Sequence, residues 1–413
     1  MKKVAVMLPI GYRGGSLRAA KNVAKSIAFQ ARKQGHAIQV VFSYVKDGKY
    51  NLYAEFEDLS KAGIVLRETV WKVYPRESLQ AAATLIDLKK TALEYPQYCL
   101  PSDGANDFYD CDLWLIISDR LPAPLFPLRK YAFVIYDYIQ RYVPEIFGNS
   151  DTAWNTQISN LMYSVQNASK VFVTTPATEQ DLISYAGVHK SHIQLLEMDF
   201  QPLDASNIKI DADIPLNYIL WTTNTTHHKN HINAFDAIEM YIQEFGGNLH
   251  FLMTGTWTEY FDPMNKFPEE NPVMQAPQVQ YIRRKIKMNP ALAKRIHIMG
   301  NVSDKIYAHI LKNARFLWHP ALYDNGTFAV MEAAYLGVPS LSAHYPAMEY
   351  INKKFMLNLQ FFNPHNPKEM AEALLNMENA ADSIPLPDQN TLLQHDWKSL
   401  SSSLYQAILE LLW

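Results

Sequence analysis

Two cysteines, Cys99 and Cys111, are all that the 413 residues contain. Neither has ligand-like neighbours, which argues against a disulfide framework and a cysteine metal site. No apolar run approaches the ~20 residues needed to span a bilayer. The apolar part of the N-terminal stretch MKKVAVMLPIGYRGG is too short for a signal peptide and leads into a glycine turn. A cytoplasmic protein is therefore expected. Low-complexity repeats are absent, and a formal net charge of −3 gives no reason to expect a nucleic-acid partner. Acidic residues are missing from the first 46 positions, which hold Lys2, Lys3, Arg13, Arg18, Lys21, Lys25, Arg32, Lys33 and Lys46. That basic end could face an anionic surface or ligand. What is present describes a folded soluble chain, with 48% hydrophobic and 19% charged residues, long enough for two domains with separate cores.

The most informative stretch is FLWHPALYDNGTFAVMEAAYLGVPSLSAHYPAME, from Phe316 to Glu349. A short apolar run ends at His319-Pro320, and Asn325-Gly326 permits a tight loop. From Phe328 the apolar spacing turns helical through Val330, Met331, Ala334 and Tyr335, until Gly337-Val338-Pro339 stops it. Asp324 thus stands just outside a helix start and Glu332 on the helix itself. The amides of Gly326, Thr327 and Phe328 would aim at an anion such as a phosphate. Asp324 could accept hydrogen bonds from sugar hydroxyls and Glu332 from a ribose diol. The plainer alternative makes Asp324 an N-cap and Glu332 an exposed first-turn acid.

The rest of the chain reads as two successive strand-and-helix series. Lys3–Pro9 is a strand candidate, followed by the turn Gly11-Tyr12-Arg13-Gly14-Gly15, a helix over 16–34 with Ser16 as N-cap, and a strand over 37–43. This lacks G-x-G-x-x-G spacing, so no nicotinamide fingerprint is present. Arg18, Lys21 and Lys25 share one helix face, either a solvated face or a peripheral contact with anionic lipid. Residues 44–110 carry no motif but include a helix expected over 77–95. Buried strands are expected at 112–117, 131–135 and 170–176, with a linker over 199–215. The pattern then restarts, with a strand at 217–221, a polar loop, Lys229 at its mouth, and a helix from Asn230. A lysine there is a point charge able to bind a diphosphate, or simply a surface residue at a helix start. After a strand at 249–254 comes an irregular, proline-interrupted insertion over 257–290. A strand over 295–299, a helix over 304–313 and a last helix opening at Trp397 complete the reading.

Pro320, Gly326, Glu332-Ala333, Gly337-Val338-Pro339 and Glu349 stand as in the E-x7-E region of the family-4 retaining glycosyltransferases, with Asp324 in place of the first glutamate. The chain resembles that family, of the bacterial cell-surface polysaccharide type, over most of its length. The resemblance implies an α/β GT-B fold, two Rossmann-like domains facing across a cleft with a C-terminal helix crossing back to the first. Residues 1–205 would form an acceptor domain, 206–395 a nucleotide-sugar domain, and 396–413 the returning helix. It implies retaining transfer of a sugar from a UDP- or GDP-linked donor to a glycan or lipid-linked acceptor. Donor binding falls to Gly15, Asn224, Lys229, Val302, Asn325, Gly326, Thr327, Phe328 and Glu332, and catalysis to Asp324, Lys229 and Asp137. Two further positions depart from the family pattern: Tyr136 stands where a histidine often precedes the aspartate, and Asn224 where an arginine is frequent. No D-x-D motif or other metal-ligand cluster is expected in the chain, so no cofactor beyond the co-substrate is expected and metal independence is anticipated. Two alternatives stay open: a GT-B enzyme that hydrolyses or epimerises a nucleotide-sugar, and a non-catalytic binding protein.

Overall fold

A computed structural model describes residues 1–86, 88, 93–147, 162–205, 214–324 and 328–413. They form two compact units. The first comprises Met1–Tyr138, Phe147–Asp199 and His395–Trp413, and the second Ile139–Ile146 and Phe200–Gln394. Among the described residues no helix is long and apolar enough to cross a membrane.

In the first unit eight strands make one sheet: β1 (Lys2–Met7), β2 (Ile38–Val45), β3 (Val65–Pro75), β4 (Gln97–Ser102), β5 (Leu113–Ile117), β6 (Lys130–Ile135), β7 (Lys170–Val173) and β8 (Ile193–Leu195). Their order is β4-β3-β2-β1-β5-β6-β7-β8, with β3 and β4 antiparallel and the other pairs parallel. Central strands covered on both faces need apolar residues at every position. In β5, Leu113, Trp114, Leu115, Ile116 and Ile117 are accordingly all buried. Helices α1 (Gly14–Lys33), α2 (Leu52–Lys61) and α3 (Pro176–Ser184) belong to this unit. So does the final helix, Trp397–Leu412, which packs along α1. Buried Gln30 donates to Ser401 at 2.8 Å, His36 bonds the Tyr405 hydroxyl at 2.8 Å, and Phe29 meets Trp397 edge-on.

The second unit has six strands, β9 (Tyr218–Thr222), β10 (His250–Thr254), β11 (Ile296–Ile298), β12 (Phe316–His319), β13 (Ser340–Ala343) and β14 (Gln360–Phe362). All are parallel in the order β11-β10-β9-β12-β13-β14. Its principal helices are α4 (His231–Gln243), α5 (Pro277–Met288), α6 (Asp304–Lys312), α7 (Ala329–Tyr335), α8 (Pro346–Phe355) and α9 (Pro367–Ala380). In each sheet the winding reverses beside its first strand, between β1 and β5 and between β9 and β12. Open α/β sheets bind ligands outside the carboxyl ends of the strands at such a switch point.

Three local expectations change. Of the 77–95 stretch, Arg76–Leu79 form a 3-10 turn and Gln80–Leu85 an α-helix, while residues 87 and 89–92 lie outside the described residues; β3 pairs antiparallel with β4 and Pro96 accepts from the Arg76 amide at 2.8 Å, so the two ends of the stretch meet. The 257–290 insertion is largely helical. Its prolines Pro272, Pro277 and Pro290 open helices, where a missing N–H costs nothing, and Asn271 and Asn289 cap two of them. Ser16 is not the N-cap of α1, which starts at left-handed Gly14 (φ +53°) after Arg13. That arginine instead pairs with Glu55 at 2.8 Å and lies over the Tyr50 ring.

Candidate functional site

At the switch point of the second unit, β9 runs into a polar loop closed by a single helical turn, His227–Lys229. Left-handed Asn230 (φ +63°) then starts α4, its buried side chain donating to the Pro320 and Pro364 carbonyls at 3.0 and 2.7 Å. Leu322 donates its amide to the His228 carbonyl at 2.8 Å, so the loops after β9 and β12 are tied together. The ties bring Lys229 and Asp324, which are 95 positions apart, into an ion pair with their side chains about 16% and 15% exposed. Burial would raise the Asp324 carboxyl, but the Lys229 charge, aided by His319 and His228, holds it well below the usual carboxylate range. Asp324 is therefore a fixed anion beside a fixed cation.

The floor under this pair is aromatic and imidazole. His319, at the end of β12, is buried and bonds the Tyr345 hydroxyl at 3.1 Å. Burial, reinforced by the nearby Lys229 charge, pushes its pKa down to about 4, so it is neutral near pH 7. Tyr323, next to Asp324, lies 5.3 Å from the Tyr345 ring and carries Tyr142 stacked on it at 3.9 Å.

Glu332 is in the first turn of α7 but is not an exposed helix acid, since it is 1% exposed and accepts from the Tyr307 hydroxyl of α6 at 2.9 Å. Phe328 stands at the N-cap of α7 with its side chain buried, and its carbonyl accepts from Met331 and Glu332. Asn325, Gly326 and Thr327 lie outside the described residues. Asn224 curls back on its own loop, its side-chain oxygen accepting from the Thr226 amide at 3.0 Å and from the Thr226 hydroxyl. Val302 is half-buried just after the turn at Gly300 (φ +67°). That turn is pinned to the end of β10, where the Gly255 amide and the Thr254 hydroxyl donate to the Gly300 carbonyl at 2.9 and 2.8 Å. A side chain at Gly255 (φ +132°) would meet the Thr223 carbonyl oxygen at 1.9 Å, so glycine is required there.

In the first unit, Gly15 lies in the first turn of α1, after β1, and Asp137 just beyond β6. Tyr136 is held by its carbonyl, which accepts from Thr178 at 2.9 Å. Burial and the charge of Asp199 push its phenol far up, so it keeps its proton. Sequence reading missed Ser118-Asp119-Arg120, which follows β5 at this unit's switch point. Ser118 adopts φ +75°, a conformation costing on the order of 1–3 kcal/mol outside glycine, and bonds both Tyr12 and Asp119 through its side chain. Asp119 is 3% exposed, and its Oδ2 has no hydrogen-bond partner among the described residues. Burial raises its carboxyl despite Arg120 nearby. A Ser-Asp-Arg run directly after a fully apolar strand was the available signal.

The α1 face read as solvated or lipid-facing is largely engaged. Lys21 pairs with Asp58 at 2.7 Å, and buried Lys25 reaches Asp58 at 3.4 Å and lies 5.0 Å from the Trp397 ring centre. Against the expectation of no D-x-D motif, the sequence contains two such strings. In Asp110-Cys111-Asp112, at the amino end of β5, Asp110 pairs with Lys3 and Arg67 and Asp112 with Lys2. Asp211-Ala212-Asp213 lies outside the described residues. Among the described residues no group of three His, Cys, Asp or Glu side chains is placed to hold a metal ion.

No protein-family model matches the chain, and no curated protein does. Solved structures resemble it from end to end. A glycosyltransferase from Rickettsia africae ESF-5 superposes with a TM-score of 0.60 at 14% identity, covering 100% of this chain and 97% of that one. Sucrose-phosphate synthase from Thermosynechococcus elongatus gives 0.64 at 12% identity, covering 100% and 99%. Anabaena HepE in complex with UDP-glucose gives 0.63 at 14% identity, covering 99% of both chains. At such identities the likeness carries the fold, which is that of the GT-B glycosyltransferases.

Proposed function

We propose that this chain transfers a glycosyl group from a nucleotide-sugar to an acceptor hydroxyl, with retention at the anomeric carbon and without a metal ion. The observation that carries the reading is the Lys229–Asp324 pair, a cation and a strong acid held together at the carboxyl ends of β9 and β12. In the reaction, the bond from the anomeric carbon to the diphosphate oxygen breaks. The acceptor oxygen bonds that carbon on the same face, and the acceptor proton passes to the departing diphosphate. Lys229 has three N–H donors and directs one at Asp324, leaving others for phosphate oxygens as charge grows on them. Asp324, ionised throughout, orients a hydroxyl of the transferred sugar.

The remaining roles rest on the resemblance together with this geometry. Glu332, steadied by Tyr307, takes the ribose diol, and Val302 lies beside the base. The resemblance assigns the amides of Gly326, Thr327 and Phe328 to the diphosphate. Asn224, whose side-chain oxygen is occupied, offers its amide nitrogen. Gly15 and Asp137 belong to the first unit, which would receive a glycan or lipid-linked acceptor, while the second unit holds the donor.

The reading is tested by thermal unfolding with UDP, GDP, ADP and their sugar conjugates, since a ligand at 100 times its Kd adds about 2.7 kcal/mol to native stability. One nucleotide series should raise the melting temperature, and product NMR with the active donor should show the anomeric configuration kept. Absence of any nucleotide effect would overturn the donor site. Activity lost in EDTA and restored by manganese would overturn metal independence. Donor consumed equally fast without acceptor would make the protein a hydrolase.

A further inference from the structure

Residues Ile139–Ile146 belong to the second unit, although the chain enters them soon after β6 of the first. They open with a single helical turn, Ile139–Tyr142, after which the Val143 amide donates to the Ile139 carbonyl at 2.8 Å. Ile139, Gln140 and Val143 are buried, so the turn is anchored, whereas Tyr142 stays 43% exposed. Its ring lies nearly parallel to that of Tyr323, 3.9 Å away between centres and inclined by 15°. Tyr323 is only 3% exposed, and the Tyr345 ring stands 5.3 Å from it, inclined by 40°. Tyr345 is itself held through its hydroxyl by His319 at 3.1 Å. Tyr323 is thus clamped between two rings.

The proposed reaction assigns this stack no part, yet it bears on Asp324, the next residue in the chain. The Leu322 amide, donating to the His228 carbonyl at 2.8 Å, fixes the backbone at residue 322. The direction in which the chain then delivers Asp324 to Lys229 is set one residue later, at Tyr323. Tyr142 keeps nearly half of its own surface in water, so its loss sacrifices little burial of its own. What is lost is the cover of Tyr323. Stacked rings attract beyond the area they hide, and a displacement of about 1 Å at a reacting group can lower a rate roughly a hundredfold. We infer that Tyr142 is a positioning residue for the transfer reaction, clamping Tyr323 so that the Asp324 carboxylate is held at Lys229. The inference rests on the function proposed above.

The test is a double-mutant cycle on the full chain, with kcat and donor KM measured separately. Tyr142→Leu should lower kcat about tenfold or more while donor KM and affinity for the nucleoside diphosphate stay within about twofold. Tyr142→Phe keeps a flat ring and should retain kcat within about twofold. In an Asp324→Asn background the same leucine change should lower kcat less than about twofold, because effects that pass through one group do not add. Amide exchange, followed by mass spectrometry, supplies a readout independent of turnover. Tyr142→Leu should speed exchange at the Leu322 amide about tenfold and leave β9 and β12 unaltered. Equal losses in the two backgrounds, a fall in nucleotide affinity in place of kcat, full kcat in Tyr142→Leu, or unchanged exchange at Leu322 each overturn the inference. If the unaltered protein transfers no sugar from any donor, the proposed function fails, and exchange alone decides whether Tyr142 holds the Asp324 loop.

Discussion

The two switch points use acidic residues in opposite ways. In the second unit Asp324 sits beside Lys229 and is driven towards its charged form. In the first, Asp119 occupies the corresponding position after β5 but is driven towards its neutral form, because burial outweighs the help it gets from Arg120. A paired, ionised carboxylate can meet a polar ligand or a developing charge without reorganising. A buried carboxylate with one unpartnered oxygen instead stores unfavourable energy that a hydrogen-bond donor would relieve. The same sheet topology therefore holds one carboxylate paired with a lysine and another that burial pushes up, with one oxygen left unpartnered.

The comparison breaks most easily at the lysine. Lys229→Met leaves Asp324 charged and mostly covered, so urea unfolding should show a loss of about 3 kcal/mol, and turnover should fall more than a hundredfold. A loss under 0.5 kcal/mol would make the pair an ordinary surface contact.

Acid titration should show an effect of similar size with opposite signs in the two units. Unfolded His319 takes up a proton below its ordinary pKa of 6.5, whereas the folded imidazole does so only near 4. Stability present above pH 6.5 is therefore lost as the pH falls towards 4, at a cost of about 3 kcal/mol that His319→Gln should remove. Asp199 runs the other way, because burial lifts its carboxyl from 3.8 to about 7, so the first unit loses stability as the pH rises through that window. Asp199→Asn should flatten that loss, and the difference curves of the two variants, measured by denaturation from pH 4 to 7.5, should slope oppositely.

One chemical change made at both switch points sharpens the contrast further. Asp324→Asn should lower turnover by ~1.5–3 kcal/mol in activation free energy and also destabilise, because the ion pair is lost. Asp119→Asn should leave the melting temperature unchanged or raise it, with less than about 1 kcal/mol of difference, since the buried charge is relieved. Equal destabilisation by both would erase the distinction.

The smallest expected effect concerns Glu332. Tyr307→Phe removes one hydrogen bond to it and should weaken donor binding by about 1 kcal/mol, roughly fivefold, with the melting temperature nearly unchanged. Glu332→Ala should weaken it more. Donor affinity indifferent to both would take Glu332 out of the ribose site.

Much of this was legible in the chain. Buried parallel strands such as β5 announce themselves as unbroken apolar runs, and Lys229, Asp324 and Glu332 could be marked because each follows a strand or opens a helix. The pairing of Lys229 with Asp324 could not, since it depends on the Leu322–His228 and Asn230–Pro320 hydrogen bonds that join two loops distant in sequence. Nor could the burial of Glu332, which needs Tyr307 from another helix. Ser118-Asp119-Arg120 was passed over because a polar run after an apolar strand, the signal it did give, does not distinguish a strained turn from an ordinary loop. The helical character of 257–290 was hidden by prolines that look like breakers but open helices.

Local sequence was enough for the alternation of strands and helices, the restart of that alternation near residue 217, and the chemical types available at each strand end, because these depend on neighbours one to four positions apart. The strand order, the partners of the final helix on α1, and the direction in which each buried acid is shifted came from the folded chain alone. Those depend on groups far apart in sequence that share one poorly solvated space, where a lysine a few ångströms away or its absence sets the sign of a carboxylate's shift.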